Sequence, residues 1–463
     1  MAIKLENCRI YPSSSRQFCT PLTHFDIPFL QSDPTKRLIF FDLPCSDLYF
    51  HEHILPSLKN SLSLTLAHFL PLAGNVVLLL NSGSPMIRCV AGDSVSLIAA
   101  QSDQDLHYLA SHHQRVADHF YECVPELPLA TRCADFVVFP VVALQITLFA
   151  GQGICIGITN HHAVADGSSI VNFVKSWGCA NRSRDAEEHL PVFDRALVED
   201  PEKLDSIAWK FVKNRNPHLD ISPSVVEFPI NRIRSTLLLT KNQIEILKNH
   251  VYAKTPNLGA VSSFTVISAY AWICSLKAAA APDDDDDEIV YFSFAANCRG
   301  RLNPPLPESY FGNCLVFVRA GSRRGSLRKE GGFVVAVESI REASRRILQS
   351  DRGVVESADW PLDFRKYSGQ WRVSVAGSPR FDVYEADFGW GKAKKQEFVH
   401  IDRDMSISLC KSRDFEGGFE IGVSRKKAEM DVFERVFGDM KRVLESDGSE
   451  ESISDPTANL KML

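Results

Sequence analysis

The stretch from Cys179 to Val225 constrains this chain more than any other. Asn181-Arg182-Ser183-Arg184-Asp185-Ala186-Glu187-Glu188 carries five charges in eight residues, and prolines follow at 191, 201, 217 and 223. Proline removes a backbone donor and fixes φ, so such a run reads as an exposed crossover carrying at most a short helix around Ile207 to Val212. Apolar periodicity holds on both sides of it. At 463 residues the chain is roughly two to three times the usual domain size. Residues 1–178 and 226–463 therefore read as two domains, with 179–225 as the linker between them.

Ile54, Leu58, Leu62, Leu66 and Phe69 fall three and four residues apart, one apolar stripe on a helix that Pro71-Leu72-Ala73-Gly74 then stops. Val141 to Phe149 and Ile154 to Thr159 are β-branched and apolar, and Gly151-Gln152-Gly153 between them makes a hairpin turn. A helical face of Ile170, Phe173, Val174 and Trp177 comes next. The second half restarts with a strand at Thr236 to Leu239, a Thr240/Gln243 capping box and a helix from Ser262 to Leu276 that is apolar nearly all round. A strand at Ile289 to Phe294, a helix at Phe333 to Leu348, a strand at Phe419 to Val423 and a last helix through Met430, Phe433 and Phe437 complete it. Strands and helices mix without regular βαβ alternation, which predicts two α+β domains.

The formal net charge of −6 supplies no global field for nucleic acid or an anionic membrane. Charges near the start and the lack of a long apolar run point to a cytoplasmic chain with no membrane segment. The twelve cysteines lie singly, with no C-x-x-C, and read as buried thiols in a reducing compartment. The acidic run from Asp283 to Glu288 reads as a solvated loop, and no metal site is expected.

The chemistry concentrates at Asn160-His161-His162-Ala163-Val164-Ala165-Asp166-Gly167, on the connection from strand to helix. His162 and Asp166 alone allow three readings: a structural pair, a metal site with His161, or a general base whose loop Asp166 orders. Only Ala and Val lie between them, where a zinc site would want a third ligand and a glutamate. There is no G-x-S-x-G elbow, and nothing marks Cys314 as an activated thiol. Imidazole acting as a base on a hydroxyl fits the residues that remain.

Two further runs stand in the second half: Asn297-Cys298-Arg299-Gly300-Arg301, leading into Tyr310-Phe311-Gly312-Asn313-Cys314, and Asp387-Phe388-Gly389-Trp390-Gly391. With His162-x-x-x-Asp166-Gly167 they resemble, in order and separation, the plant acyl-CoA-dependent acyltransferases of the BAHD family. The Tyr310 to Cys314 run is similar to that of the branch acting on anthocyanin and other phenolic glucosides.

The resemblance extends over the whole chain and implies two chloramphenicol-acetyltransferase-like domains joined by a long crossover, with an active-site channel between them. It also implies acyl-CoA as co-substrate and no permanently bound cofactor. The other substrate would be a phenolic glycoside and the enzyme a monomer. His162 would be the base, Asp166 would turn away from the channel to pair with Arg299, and Trp390 would offer its indole N–H to the oxyanion. Asp387, Gly389 and Gly391 would form a rigid turn, and Thr35 would place a hydroxyl in the acyl pocket. Candidates for the coenzyme A phosphates are Ser262, Ser263, Arg323, Arg324, Lys392 and Lys394. Ser168 stands where many malonyl-using relatives carry Lys or Arg, which weakens a malonyl donor against a hydroxycinnamoyl one and leaves the two near parity, with acetyl behind. A non-catalytic ligand-binding relative and an acyl-CoA hydrolase using the same histidine are the rival readings.

Overall fold

The computed structural model describes residues 3–80, 83–183, 190–200, 202–215, 228–279, 285–349, 369–403 and 405–451, the last helix from residue 443 by its backbone alone. Arg184 to Glu188, Pro201, Pro217, Pro223, Asp283 and Asp284, all used above, lie outside the described residues.

The apolar hairpin forms the centre of the first half. Val142–Phe149 pairs with Gly153–Asn160 along its whole length, from Val142 opposite Asn160 to Phe149 opposite Gly153, and every residue of both strands is buried. Strands covered on both faces need continuous apolar sequence rather than alternation, and these two have it. Around them a six-stranded sheet runs Ile3–Ile10, Val95–Ser102, Val142–Phe149, Gly153–Asn160, Thr35–Asp42, Lys395–Phe398. A five-stranded sheet, Phe18–Pro21, Met86–Cys89, Asn75–Leu79, Phe136–Pro140 and Thr131–Arg132, belongs to the same half.

The second half holds a seven-stranded sheet in the order Leu315–Arg323, Ile289–Asn297, Arg372–Ala376, Ile407–Lys411, Phe419–Lys426, Arg232–Leu239, Arg115–Val116. The helix Ser263–Ala278 is buried from Thr265 to Leu276, capped by Ser262 Oγ accepting from the Thr265 amide. Fully burying side chains such as Ile267, Leu276 and Trp272 contributes about 2–3 kcal/mol each. Thr240 and Gln243 form the expected capping box.

The halves also exchange edges. Lys395–Phe398 pairs antiparallel with Thr35–Asp42, and Arg115–Val116 with Arg232–Leu239, so each half closes the other's sheet. The boundary at 179–225 divides the sequence more cleanly than it divides the sheets. At the exchange, Arg115 reaches Glu397 at 2.6 Å, Arg234 reaches Glu397 at 2.8 Å, and Arg234 also bonds Asp402. Buried charges paired in this way constrain how the halves meet, although Arg234 Nε and Asp402 Oδ2 have no hydrogen-bond partner of their own.

The crossover differs from its reading as an exposed tether. The helix Gly167–Ser183 runs past Cys179, and Leu204–Arg215 is longer than the short helix expected at 207–212. Ala208, Trp209 and Val212 bury one face of that second helix, and burial outweighs the polar remainder. The Gln31 side-chain amide donates to the Val212 carbonyl at 3.2 Å, so the crossover braces the short helix Ile27–Gln31. No described helix is long and apolar enough to cross a membrane.

Candidate active site

Strand Gly153–Asn160 ends where the polar run begins, and the helix Gly167–Ser183 starts one residue after Asp166. The turn between them holds His162 on one side and Asp166 on the other.

His162 Nδ1 lies 3.0 Å from Asn313 Oδ1. Which way that amide points is settled by its other bonds: Asn313 Nδ2 donates to the His162 carbonyl at 2.9 Å and to Asp26 Oδ1 at 3.0 Å. A carboxylate only accepts, so the amide nitrogen must face Asp26 and the amide oxygen must accept from His162 Nδ1–H. The proton therefore sits on Nδ1, and Nε2 keeps the lone pair. The Phe29 ring stacks on the imidazole with centroids 3.9 Å apart and planes at 10°. Burial holds the His162 pKa below its ordinary 6.5, opposed by its own backbone, the Asp166 charge and the Asn313 bond. Neutral imidazole at physiological pH follows.

Asp166 is buried on the far side of the turn. Its Oδ2 accepts from Arg299 Nη1 at 2.7 Å and the Cys314 amide at 3.3 Å, and its Oδ1 from the Ser169 amide at 3.0 Å. Arg299 spends its remaining donors on the carbonyls of Tyr310 and Gly312, both at 3.0 Å. Its charge keeps the Asp166 pKa below the usual carboxylate range against the opposing effect of burial. Tyr310 to Cys314 thus wraps the turn between His162 and Asp166 from the other half of the chain. Gly312, at φ +151°, packs so close to the Arg195 guanidinium that a Cβ would sit 2.5 Å from Arg195 Nη1, which leaves room for glycine alone.

His162 borders a cavity of about 830 Å³, lined also by Phe29, Thr35, Arg37, Ser168, Ser262, Phe317, Phe398 and His400. Arg301, Arg341, Arg345 and Arg380 line it as well. Thr35 points its hydroxyl at Asn160 Oδ1, 2.7 Å away. Ser262 is engaged with Thr265, Oγ to Oγ1 2.8 Å, while Ser263 is not among the lining residues.

The geometry sets several of the expected residues apart from the cavity. Trp390 does not line the cavity: its ring packs 5.7 Å from Phe41 and 5.4 Å from Phe388, against the apolar core of the first half. No oxyanion contact is available to it there. Asp387 Oδ1 accepts from the amides of Gly389 at 2.8 Å and Gly391 at 3.0 Å, both glycines having positive φ, so the run is a closed turn. The basic residues expected at coenzyme A are partnered elsewhere: Arg324 bonds Glu288, Arg323 lies 3.1 Å from Asp287, Lys392 2.8 Å from Glu385 and Lys394 2.9 Å from Asp42. Of the acidic run's described residues, Asp286 and Asp287 stay largely exposed, as a solvated loop should, while arginines lie near Asp286, Asp287 and Glu288. Arg301, Arg341, Arg345 and Arg380, which line the cavity beside Arg37, are further phosphate candidates, Arg345 with Glu342 2.9 Å away.

The sequence reading also missed Asp26, Phe29, Arg37, Arg195 and His400. Arg195, on the crossover, lies 3.4 Å from Asp26 Oδ2, and Asp26 in turn holds Asn313. The crossover therefore reaches His162 through two intermediaries.

A neutral histidine of fixed tautomer at a large, arginine-lined cavity between two α+β halves defines an acyltransferase of the chloramphenicol-acetyltransferase-like fold. The Transferase family profile matches residues 5–440, and the chain belongs to that family of acyl-CoA-dependent enzymes. It is 40% identical over 446 residues to the malonyl-coenzyme:anthocyanin 5-O-glucoside-6'''-O-malonyltransferase of Salvia splendens, covering 94% of each chain. It is 41% identical over 419 residues to phenolic glucoside malonyltransferase 1 of Nicotiana tabacum, covering 88% of this chain and 92% of that one. It is 31% identical over 448 residues to a coumaroyl-CoA:anthocyanidin 3-O-glucoside-6''-O-coumaroyltransferase 2 of Arabidopsis thaliana, covering 93% and 95%. Among solved structures, vinorine synthase superposes with a TM-score of 0.70 at 21% identity, covering 93% of this chain and 96% of that one. A coenzyme A complex of F. sporotrichioides TRI101 gives 0.60 at 16%, covering 90% and 97%.

Proposed function

We propose that this enzyme transfers the acyl group of an acyl-CoA, with malonyl-CoA as donor, to a sugar hydroxyl of an anthocyanin or other phenolic glucoside, with His162 as the general base. The relatives named for malonyl transfer to glucosides support the substrates, and the bond from His162 Nδ1 to Asn313 carries the mechanism. With Nδ1 protonated, Nε2 takes the proton from the attacking sugar hydroxyl. That oxygen bonds to the thioester carbonyl carbon. The tetrahedral intermediate collapses, the C–S bond breaks, and the imidazolium returns the proton to the departing thiolate. No acyl-enzyme forms. Asp166 and Arg299 hold the turn rather than moving protons, and we place the CoA phosphates on Arg301, Arg341, Arg345 and Arg380. We keep the reading of a cytosolic monomer, in keeping with twelve free thiols.

The test is His162→Ala with malonyl-CoA and a glucosylated phenol, following free thiol and acylated product together. General-base catalysis is typically worth 10²–10⁴-fold, so a loss of about a thousandfold is expected. Transfer at the native rate would remove the base assignment. Thiol release by the native enzyme without acylated glucoside would make it a hydrolase.

A further inference from the structure

Seven arginines are buried among the described residues, and six have found partners. Arg115, Arg195, Arg234, Arg299 and Arg324 each reach a carboxylate, and Arg425 donates to the carbonyls of Met405, Ser406 and Ser424. Arg37 is the exception. It is 3% exposed, and its Nε and Nη1 have no hydrogen-bond partner. Leaving a charge buried without a partner costs several kcal/mol, a cost that an anion entering the cavity would offset. Arg37 borders the cavity that holds His162.

Its position is set by register. In the strand Thr35–Asp42, Thr35 lies opposite Asn160 and Arg37 opposite Ile158, so both share the face of the sheet at the end that leads to His162. The Phe398 ring lies 5.6 Å from the guanidinium carbon, and the imidazoles of His162 and His400 and the Cys410 thiol are close enough to be felt electrostatically. Burial holds the His400 pKa at about 4, so neither imidazole brings charge at neutral pH. Asp166 is felt electrostatically but is already committed to Arg299. Burial lowers the Arg37 pKa to about 10, which leaves it a cation. This corner of the cavity therefore offers one positive charge, forked donors and no counter-ion.

Resting on the acyl-transfer reading above, we propose that Arg37 binds the free carboxylate of the malonyl group and selects the malonyl donor over uncharged ones. In a malonyl thioester the carboxylate is two bonds from the reacting carbonyl, so its cation must share a wall with the catalytic base, as Arg37 does. Ser168, which lacks the charge that many malonyl-using relatives carry at that position, leaves this task to another element. A planar guanidinium suits a carboxylate because two parallel N–H donors meet two oxygens.

The experiment measures kcat/KM of the purified native enzyme and of Arg37→Met and Arg37→Lys, with one glucosylated phenol and with malonyl-, acetyl- and p-coumaroyl-CoA. A bond between charged partners supports a loss on the order of 100-fold for malonyl-CoA in Arg37→Met, with acetyl-CoA changed less than about threefold. Arg37→Lys keeps the charge without the fork and is expected to lose about tenfold with malonyl-CoA alone. Should Arg37→Met fail to fold, Arg37→Lys decides, and unchanged malonyl kinetics there overturn the proposal. Equal losses with malonyl- and acetyl-CoA also overturn it, since Arg37 would then serve the reacting centre. A native enzyme that uses p-coumaroyl-CoA and ignores malonyl-CoA sinks the malonyl reading itself, before any variant is examined.

Discussion

Arg299 and Arg37 flank the same histidine and have opposite characters. Arg299 is fully buried with its donors spent on Asp166, Tyr310 and Gly312. Arg37 is nearly as buried with donors unspent. The first belongs to the fold, because everything it needs is covalently part of the chain. The second is complete only when something enters the cavity. Two guanidiniums of equal burial thus separate what holds the catalytic turn from what that turn is presented to.

The comparison breaks most readily at Arg299. Removing one member of a buried pair leaves the other charged and alone, at a cost of about 3–5 kcal/mol. Arg299→Met strands Asp166 and is expected to lower the melting temperature sharply and abolish transfer with every donor. Arg37→Met strands nothing and is expected to melt at or above the native temperature. Calorimetry of the two variants checks this, and a large destabilisation by Arg37→Met would make that arginine structural.

Asn313→Ala is expected to act between those extremes. It removes the acceptor that keeps the His162 proton on Nδ1 and frees the ring to take the wrong tautomer, so kcat should fall about 10–100-fold with little change in KM. Asp26→Asn weakens the same arrangement one step further out and should cost less. If Asn313→Ala raises KM and leaves kcat alone, the amide touches substrate rather than orienting the base.

What the sequence made legible follows from distance along the chain. His162 and Asp166 share one turn, and the resemblance supplied Arg299, so that side of the site could be named beforehand. Asp26 and Asn313 meet across 287 positions, and no periodicity announces such a pair. Arg37 left no distinct trace: it follows Lys36 at the head of the apolar run Leu38-Ile39-Phe40-Phe41, where two adjacent charges look like the polar end of a strand. Arg323 and Arg324 show how composition misleads. Ile289 pairs with Arg323, so the hairpin delivers Glu288 beside Arg324, and two clusters that read separately as a ligand site and a solvated loop cancel each other. Trp390 shows that a motif can carry the family without carrying the geometry of its active site. The helix Leu204–Arg215 exceeds its expected length because its many polar residues mask the short buried face of Ala208, Trp209 and Val212.

The smallest expected effect gives the sharpest test of how close Arg37 lies to the chemistry. Burial lowers the His162 pKa from 6.5, and Arg37 adds to that lowering because a cation disfavours a second one nearby. Neutral imidazole is the active form, so activity is lost as pH falls through the His162 pKa. The acid limb of kcat/KM, which reports the free enzyme, is therefore expected below pH 6.5. Arg37→Met removes the neighbouring cation and should move that limb to higher pH. A bound malonyl carboxylate neutralises Arg37 in the same sense, so in the native enzyme the limb of kcat with malonyl-CoA should lie above that of kcat/KM. With acetyl-CoA, which brings no charge, this electrostatic separation should be absent. Equal separation with both donors would mean that Arg37 and the acyl group do not meet, whatever the donor preference turns out to be.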